Sequence, residues 1–184
     1  YGVKRITLDL GEIFKDSNCS LLEGASDDIP HEEYSKQLEK TNGKPVNTYV
    51  PYRNGLFLSS AASLALSHGC SKIYYGAHAD DAVRRNNGEG TAAYPDCTEE
   101  FIKSQGAAII QGTAGKVALW APLWNKNKAD VVRFGLDNGA TREVYEHTHS
   151  CYEGIRGGCG TSGTCIDARD ALDAWPETEG LKQN

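Results

Sequence analysis

The stretch Lys72-Ile73-Tyr74-Tyr75-Gly76-Ala77-His78-Ala79-Asp80-Asp81 decides the fold. Its first seven residues, 72–78, read as a strand bearing β-branched and aromatic side chains. An acidic turn follows at once, then a polar, glycine-containing loop over 82–93. Before it lies an Ala/Leu/Ser-rich run, 55–68, with Leu56, Phe57, Ala61, Leu64, Ala65 and Leu66. That run is apolar nearly all round, which predicts a well-buried helix, stopped by Gly69. Pro51 imposes an extended approach to it, and Asn54 is placed to cap it. After it, Thr98 with Glu99 and Glu100 opens an acidic first turn, so a helix is predicted over 98–111 and ended by Gly112.

The alternation continues outward in both directions. Residues 116–120 predict a strand that runs into Ala121-Pro122-Leu123. Asn127 then caps a helix over 128–138, with Val131, Val132, Phe134 and Leu136 along one face. A last helix is predicted over 166–175, stopped by Pro176 and followed by a polar, frayed tail. Toward the N-terminus, residues 3–9 alternate apolar and polar and predict a further strand. Between them, 11–48 form a long polar connection, with a short helix within 30–38 that has Pro30 near its start. This connection is expected to be either a flexible lid or a disordered arm. Strands alternating with helices imply an α/β fold: a three-layer parallel sheet with helices on both faces. In such sheets binding sites collect at the carboxyl ends of the strands. That edge is predicted to gather Asp9, His78 to Asp81, and Pro122 to Asn125. The whole of 1–184 is expected to be a single domain, with a cysteine knuckle and C-terminal helix over 147–175.

Composition narrows the function classes. The chain has 184 residues, 39% hydrophobic and 24% charged, which suits one globular domain with a substantial core. A formal charge of −6 argues against a general nucleic-acid-binding surface. No apolar run reaches the length of a membrane span, and no signal peptide is evident. Six cysteines, three of them clustered, fit a reducing cytoplasm better than a secreted disulfide scaffold. The sequence opens on Tyr1 and contains no methionine, so its natural start is expected upstream or to have been processed away.

The clustered cysteines are Cys151, Cys159 and Cys165, set among glycines. With Ser162 replaced by cysteine the run would read C-x7-C-x2-C-x2-C. Thiolates suit zinc, which takes four ligands in a tetrahedron. Glycines let a short loop fold back so that several sulfurs converge. The spacing favours a metal knuckle over free or disulfide-bonded cysteines. The fourth ligand stays open among Ser162, His147 or His149 just upstream, and a water.

The predicted sheet edge carries further candidates. Arg53 and Asn54 at a helix start can present a guanidinium and backbone N–H groups to an anion; an arginine simply paired with a carboxylate fits equally well. His78 with Asp80 and Asp81 could serve acid–base or metal chemistry, although a satisfied loop cluster is the favoured reading. Tyr94-Pro95-Asp96-Cys97 offers a rigid turn with an aromatic face and a carboxylate, able to stack on a heterocycle or to cap the next helix through Asp96 or Thr98. Lys128 at a helix start sits against the dipole, which points toward function. Cys19, Cys70 and Cys97 read as small buried residues. No G-x-x-x-x-G-K-[ST] phosphate cradle occurs.

Taken together, these segments resemble the 7-cyano-7-deazaguanine synthase family of queuosine biosynthesis, in the N-type ATP pyrophosphatase superfamily. The matching stretches are Tyr49 to Ser59, Tyr75 to Asp81, Tyr94 to Thr98, Ala121 to Leu123 with Asn127 to Ala129, and Ser150 to Cys165, in family order. The resemblance implies an adenine nucleotide alpha-hydrolase, Rossmann-like fold and an ATP-dependent ligase. Such an enzyme converts 7-carboxy-7-deazaguanine and ammonia to the nitrile preQ0, with ATP and magnesium, through an acyl adenylate and an amide. It further implies Lys128 and Asp96 as catalytic residues, and Arg53, Asn54, His78, Asp80, Tyr94 and Asp96 as substrate- or nucleotide-binding residues. Cys151, Cys159 and Cys165 would hold a structural zinc. A cytoplasmic homodimer acting on small molecules, without nucleic acid or membrane, is the implied setting. Two departures stand out. The family's N-terminal strand and S-G-G-x-D-S pyrophosphate loop do not occur here, so a fragment, a processed chain or an N-terminal part outside this sequence is expected. Ser162 stands where the family has its third zinc cysteine, so the metal site is expected to be weakened. A related enzyme amidating or conjugating another carboxylate, or a degenerate non-catalytic scaffold, are the alternatives.

Overall fold

A computed structural model describes residues 2–84, 90–140, 144–145, 147–156 and 158–175. Its centre is a pair of parallel strands, β1 (Lys72–Tyr74) and β2 (Ala118–Trp120). Ile73 stands opposite Leu119, and Tyr74 opposite Trp120. Parallel neighbours need a crossover, and α4 (Glu99–Gly112) provides it. Thr98 starts α4 by accepting the Phe101 N–H on its hydroxyl, the expected role for a threonine before an acidic first turn.

Before β1 the chain forms α1 (Gly11–Phe14), α2 (Tyr34–Lys40) and α3 (Arg53–Ser67). After β2 come α5 (Lys128–Asp137) and α6 (Gly163–Asp173). Asn127 opens α5 with a reciprocal capping box to Asp130, as its position promised. Helices α5 and α6 pack together, and the Trp175 indole donates to the Ala129 carbonyl at 2.7 Å.

Two apolar clusters hold these elements. One joins Leu58 and Ala62 of α3, Ile73 of β1, Ile109 of α4 and Val117. The other joins Tyr34 and Leu38 of α2 with Val46, Ala77, Ala93, Tyr94 and Cys97. Tyr75 packs against both.

Several expectations need correction. Residues 3–9 form no strand; Val3 is 81% exposed and Leu8 50%. Alternation makes a strand only where the segment pairs with a neighbouring edge, and residues 3–9 pair with neither β1 nor β2. Asp9 therefore lies at no strand end and accepts the Gly11 N–H instead. The sheet has two strands among the described residues, and only one face is covered. Tyr74 and Trp120 lie on the other, with the Lys72 ammonium 4.6 Å over the Trp120 ring. Helix α3 is less buried than its apolar composition suggested: Phe57 and Leu66 are exposed, as is Phe134 of α5. The connection over 11–48 is no disordered arm, since Tyr34, Gln37, Leu38 and Val46 are all buried. Cys70 is exposed, whereas Cys19 and Cys97 are buried as expected. The tail after residue 175 and most of the loop within 82–93, at 85–89, lie outside the described residues.

Candidate active site and metal centre

The carboxyl ends of β1 and β2 meet through the segments that follow them. The Ala79 N–H donates to the Lys126 carbonyl at 2.8 Å. The Lys128 N–H, first in α5, donates to Asp80 Oδ2 at 2.6 Å. A carboxylate at a helix N-terminus meets unpaired N–H groups and the positive end of the dipole. The sequence thus brings together Asp80 and Lys128, two candidates far apart in the chain, through main chain and carboxylate.

His78 sits beside them. Its Nε2 lies 3.3 Å from Asp81 Oδ2, and its Nδ1 lies 3.9 Å from Asp80 Oδ2 and has no hydrogen-bond partner. Burial lowers the imidazole pKa, against the raising effect of Asp81. Burial also raises the Asp81 carboxyl, although His78 and the Lys128 charge oppose it. These groups are paired with one another, as the favoured reading of a satisfied loop cluster expected, but the pairing is incomplete at Nδ1.

The Tyr94-to-Cys97 turn is fastened to this loop by main chain: the Tyr94 N–H donates to the Asp81 carbonyl at 3.0 Å. Asn54 does not cap α3. It lies inside the helix, and the residue before the helix is Tyr52, at φ 53° with no side-chain cap. Asp96, from another segment, takes the capping role: its Oδ2 accepts the Asn54 N–H at 3.0 Å. The start of α3 is thus already matched to a carboxylate, and Arg53 lies close enough to lower the pKa of that carboxyl. Burial outweighs this and raises the Asp96 pKa. Asp96 is only 2% exposed, and its Oδ1 has no partner. A buried unpaired carboxylate oxygen is costly, so it marks a place for a donor. Gly55 belongs to the same construction, because a Cβ there would collide with the Tyr52 ring.

Tyr94 differs from expectation. Its ring is buried at 5% exposure, edge-on to Tyr34 and near Tyr49, and offers no open face for stacking. Its hydroxyl instead meets those of Thr48 at 2.6 Å, Tyr152 at 3.0 Å and Tyr34 at 3.3 Å. Burial raises the pKa of all three of Tyr34, Tyr75 and Tyr94.

Sequence reasoning missed two participants. Tyr75 donates its hydroxyl to the Asp96 carbonyl at 2.8 Å and touches Cys97 Sγ at 3.4 Å; its place one residue beyond β1 was the available signal. Burial pushes the Cys97 thiol up to about 12, which keeps it protonated and unreactive. Asp167, within α6, is pushed by burial up to about 6, with the charges of Lys128, Asp80 and Asp81 within reach. No pattern in the sequence pointed to it.

The three knuckle sulfurs converge. Cys151, Cys159 and Cys165 place their Sγ atoms within 4.8 Å of one another. Cys151 and Cys165 are buried, and Cys159 and Cys165 are 3.8 Å apart. Hydrogen bonds from Thr161 and Ser162 hold the Cys159 thiol down to about 5, the thiolate range a metal requires. Cys165 lies in the first turn of α6, where burial raises its thiol pKa against the lowering effect of hydrogen bonds from Ser162, Gly160 and Cys159. Gly158 has φ 89°, and a Cβ there would press on Cys165 Sγ at 3.2 Å. The G-x-G-x-x-G spacing of Gly158, Gly160 and Gly163 thus serves to fold the sulfur loop. Gly163 also lets the Tyr34 ring pack on the start of α6. His147 and His149 are exposed and not part of the sulfur group. His31 braces the loop from outside, with Nδ1 2.7 Å from Thr161 Oγ1 and Nε2 3.1 Å from Glu153. Three convergent thiols fit a soft or borderline divalent ion such as zinc.

Comparison with known proteins finds relatives along nearly the whole chain. The family model described as queuosine biosynthesis protein QueC matches residues 1–175. A 7-cyano-7-deazaguanine synthase of Campylobacter fetus is 37% identical over 163 residues, covering 88% of this chain and 64% of the relative. One from Porphyromonas gingivalis strain W83 is 36% identical over 171 residues, covering 93% and 69%. One from Campylobacter jejuni strain NCTC 11168 is 38% identical over 165 residues, covering 89% and 66%. The chain therefore spans about two thirds of the length of these curated relatives. By its match along nearly its whole length, the chain belongs to the QueC family of queuosine biosynthesis proteins.

Proposed function

We propose that this chain forms part of an ATP-dependent carbon–nitrogen ligase that converts 7-carboxy-7-deazaguanine to 7-cyano-7-deazaguanine. The carboxylate attacks the α-phosphorus of ATP and pyrophosphate leaves. Ammonia displaces AMP from the acyl adenylate to give the amide. The amide oxygen then attacks the α-phosphorus of a second ATP, pyrophosphate leaves, and loss of AMP and of both N–H protons gives the nitrile. Each activation replaces a poor leaving group by a good one, and the acyl adenylate must be kept from water.

One observation carries this reading: the buried, unpartnered Oδ1 of Asp96 at the start of α3. A deazaguanine presents ring and exocyclic N–H donors, and a fixed carboxylate oxygen in a dry site is a matching acceptor. Asp96 is held for that task by the Asn54 N–H, with Tyr75 fixing its main chain. Arg53, at the head of α3, supplies positive charge beside it. Lys128 places a cation near His78 and Asp81 at the start of α5, suited to charge that develops on phosphate. Bound zinc would lock the sulfur loop in place, held by Cys151, Cys159 and Cys165; it has no part in the bond changes. A homodimer is the proposed assembly.

The test is turnover. Protein expressed from its complete reading frame is incubated with 7-carboxy-7-deazaguanine, ATP, magnesium and ammonium. Formation of the nitrile with release of AMP and pyrophosphate is expected. Amide without nitrile, or neither product, would reject the assignment. No described helix is long and apolar enough to cross a membrane.

A further inference from the structure

We propose that the Ser162 hydroxyl is the fourth ligand of the metal site formed by Cys151, Cys159 and Cys165. Three sulfurs leave one vertex of a tetrahedron to fill. Ser162 is fully buried, at 0% exposure, on the sulfur loop itself. Its N–H donates to Cys159 Sγ at 3.3 Å, and its hydroxyl lies near the thiols of both Cys159 and Cys165. Ser162 therefore stands beside two of the three sulfurs.

Its other contact supports the same conclusion. The nearest oxygen partner of Ser162 Oγ is Thr164 Oγ1 at 3.4 Å, beyond the usual O–H···O range. The polar neighbours of Ser162 Oγ are thus two thiols and one long hydroxyl contact, and an oxygen so placed keeps a lone pair for a cation bound among the sulfurs. The alternatives fit less well. His147 and His149 are exposed and stand outside the group.

This assignment has a chemical consequence. An oxygen in place of a fourth sulfur makes the site harder and, with a neutral hydroxyl, one negative charge poorer. Affinity for zinc falls accordingly, while the site remains closed rather than open to substrate. The inference concerns only the metal, so it stands or falls independently of nitrile synthesis.

The experiment uses the chain made metal-free by chelation under reducing conditions and titrated with cobalt(II). Thiolate-to-cobalt charge transfer counts the sulfurs, and zinc affinity follows by competition with a chromophoric chelator. Wild type, Ser162→Ala and Ser162→Cys are compared, each with its far-ultraviolet circular dichroism recorded. Wild type should bind one equivalent. Ser162→Cys should gain about a third in charge-transfer intensity, the step from three sulfurs to four, and bind zinc about tenfold more tightly or better. Ser162→Ala should bind about tenfold more weakly, on the scale of changes to a ligand shell. An Ala variant that matches wild type in affinity and spectrum overturns the proposal. So does a Cys variant with no added thiolate band, or a wild-type chain that takes no metal. Should the Ala variant fail to fold, the Cys variant decides alone.

Discussion

The hydroxyl oxygens of Tyr94 and Tyr152 lie 3.0 Å apart, and that contact ties the Asp96 turn to the sulfur loop. Tyr94 precedes Pro95 and Asp96; Tyr152 follows Cys151. Removing one hydroxyl with Tyr152→Phe leaves the Tyr94 bonds to Thr48 and Tyr34 in place. The expected loss is about 1 kcal/mol, or about 2–4 °C in melting temperature for a chain of this size. Amide exchange over residues 94–97 should quicken at the same time. Unchanged exchange there would show that the contact transmits nothing.

Asp96, the proposed acceptor for substrate, is also a source of instability. Because burial raises its pKa, the native state binds more protons than the unfolded chain between the ordinary carboxylate value and the raised one. Stability from this group is full below that window and is lost as pH rises through it. Asp96→Asn keeps an acceptor for the Asn54 N–H and removes the buried charge. The variant should be inactive, yet melt at least as high as wild type at pH 7, with the advantage vanishing toward pH 4. Asp81 and Asp167 are raised in the same direction, so part of the pH slope remains. Urea unfolding at pH 4, 5.5 and 7 measures it; an Asn variant less stable than wild type at pH 7 contradicts the account.

Gly55 tests the construction at the start of α3. A methyl group there collides with the Tyr52 ring, and Tyr52 also bonds Gln105 through its hydroxyl. Gly55→Ala is expected to cost about 1–3 kcal/mol. The double variant with Tyr52→Ala should recover part of that loss. Additive losses in denaturant melts would remove the clash as the cause.

Metal removal offers a separate check on the knuckle. With free zinc about a hundredfold above its dissociation constant, binding stabilises by about 2.7 kcal/mol. Chelation should then lower the melting temperature by about 5–10 °C. In Cys165→Ser the chelator should shift it little. A chelator effect of equal size in that variant would place the metal elsewhere.

Much of this molecule was legible in the sequence where local chemistry and tertiary position agree. Asn127 before an apolar-faced run gave the start of α5, Thr98 gave that of α4, and the cysteine spacing gave three converging sulfurs. Elsewhere long-range partners decided. The alternation over 3–9 paired with neither β1 nor β2 and made no strand. Asn54 resembled a cap, but the cap came from Asp96, distant in sequence. Tyr94 resembled an open stacking face until three other hydroxyl groups enclosed its tip. Asp167 carried no signal, because its surroundings arise from α5 and the loop after β1 folding over it.

The pair of bonds that joins Ala79 to Lys126 and Lys128 to Asp80 acts as a mechanical latch. Since α5 rides on α6, and α6 carries Cys165, a tug on the sulfur end is felt at the strand tips. The sulfur loop and the strand tips therefore share one lever, and loosening either should slacken the other before the fold itself gives way.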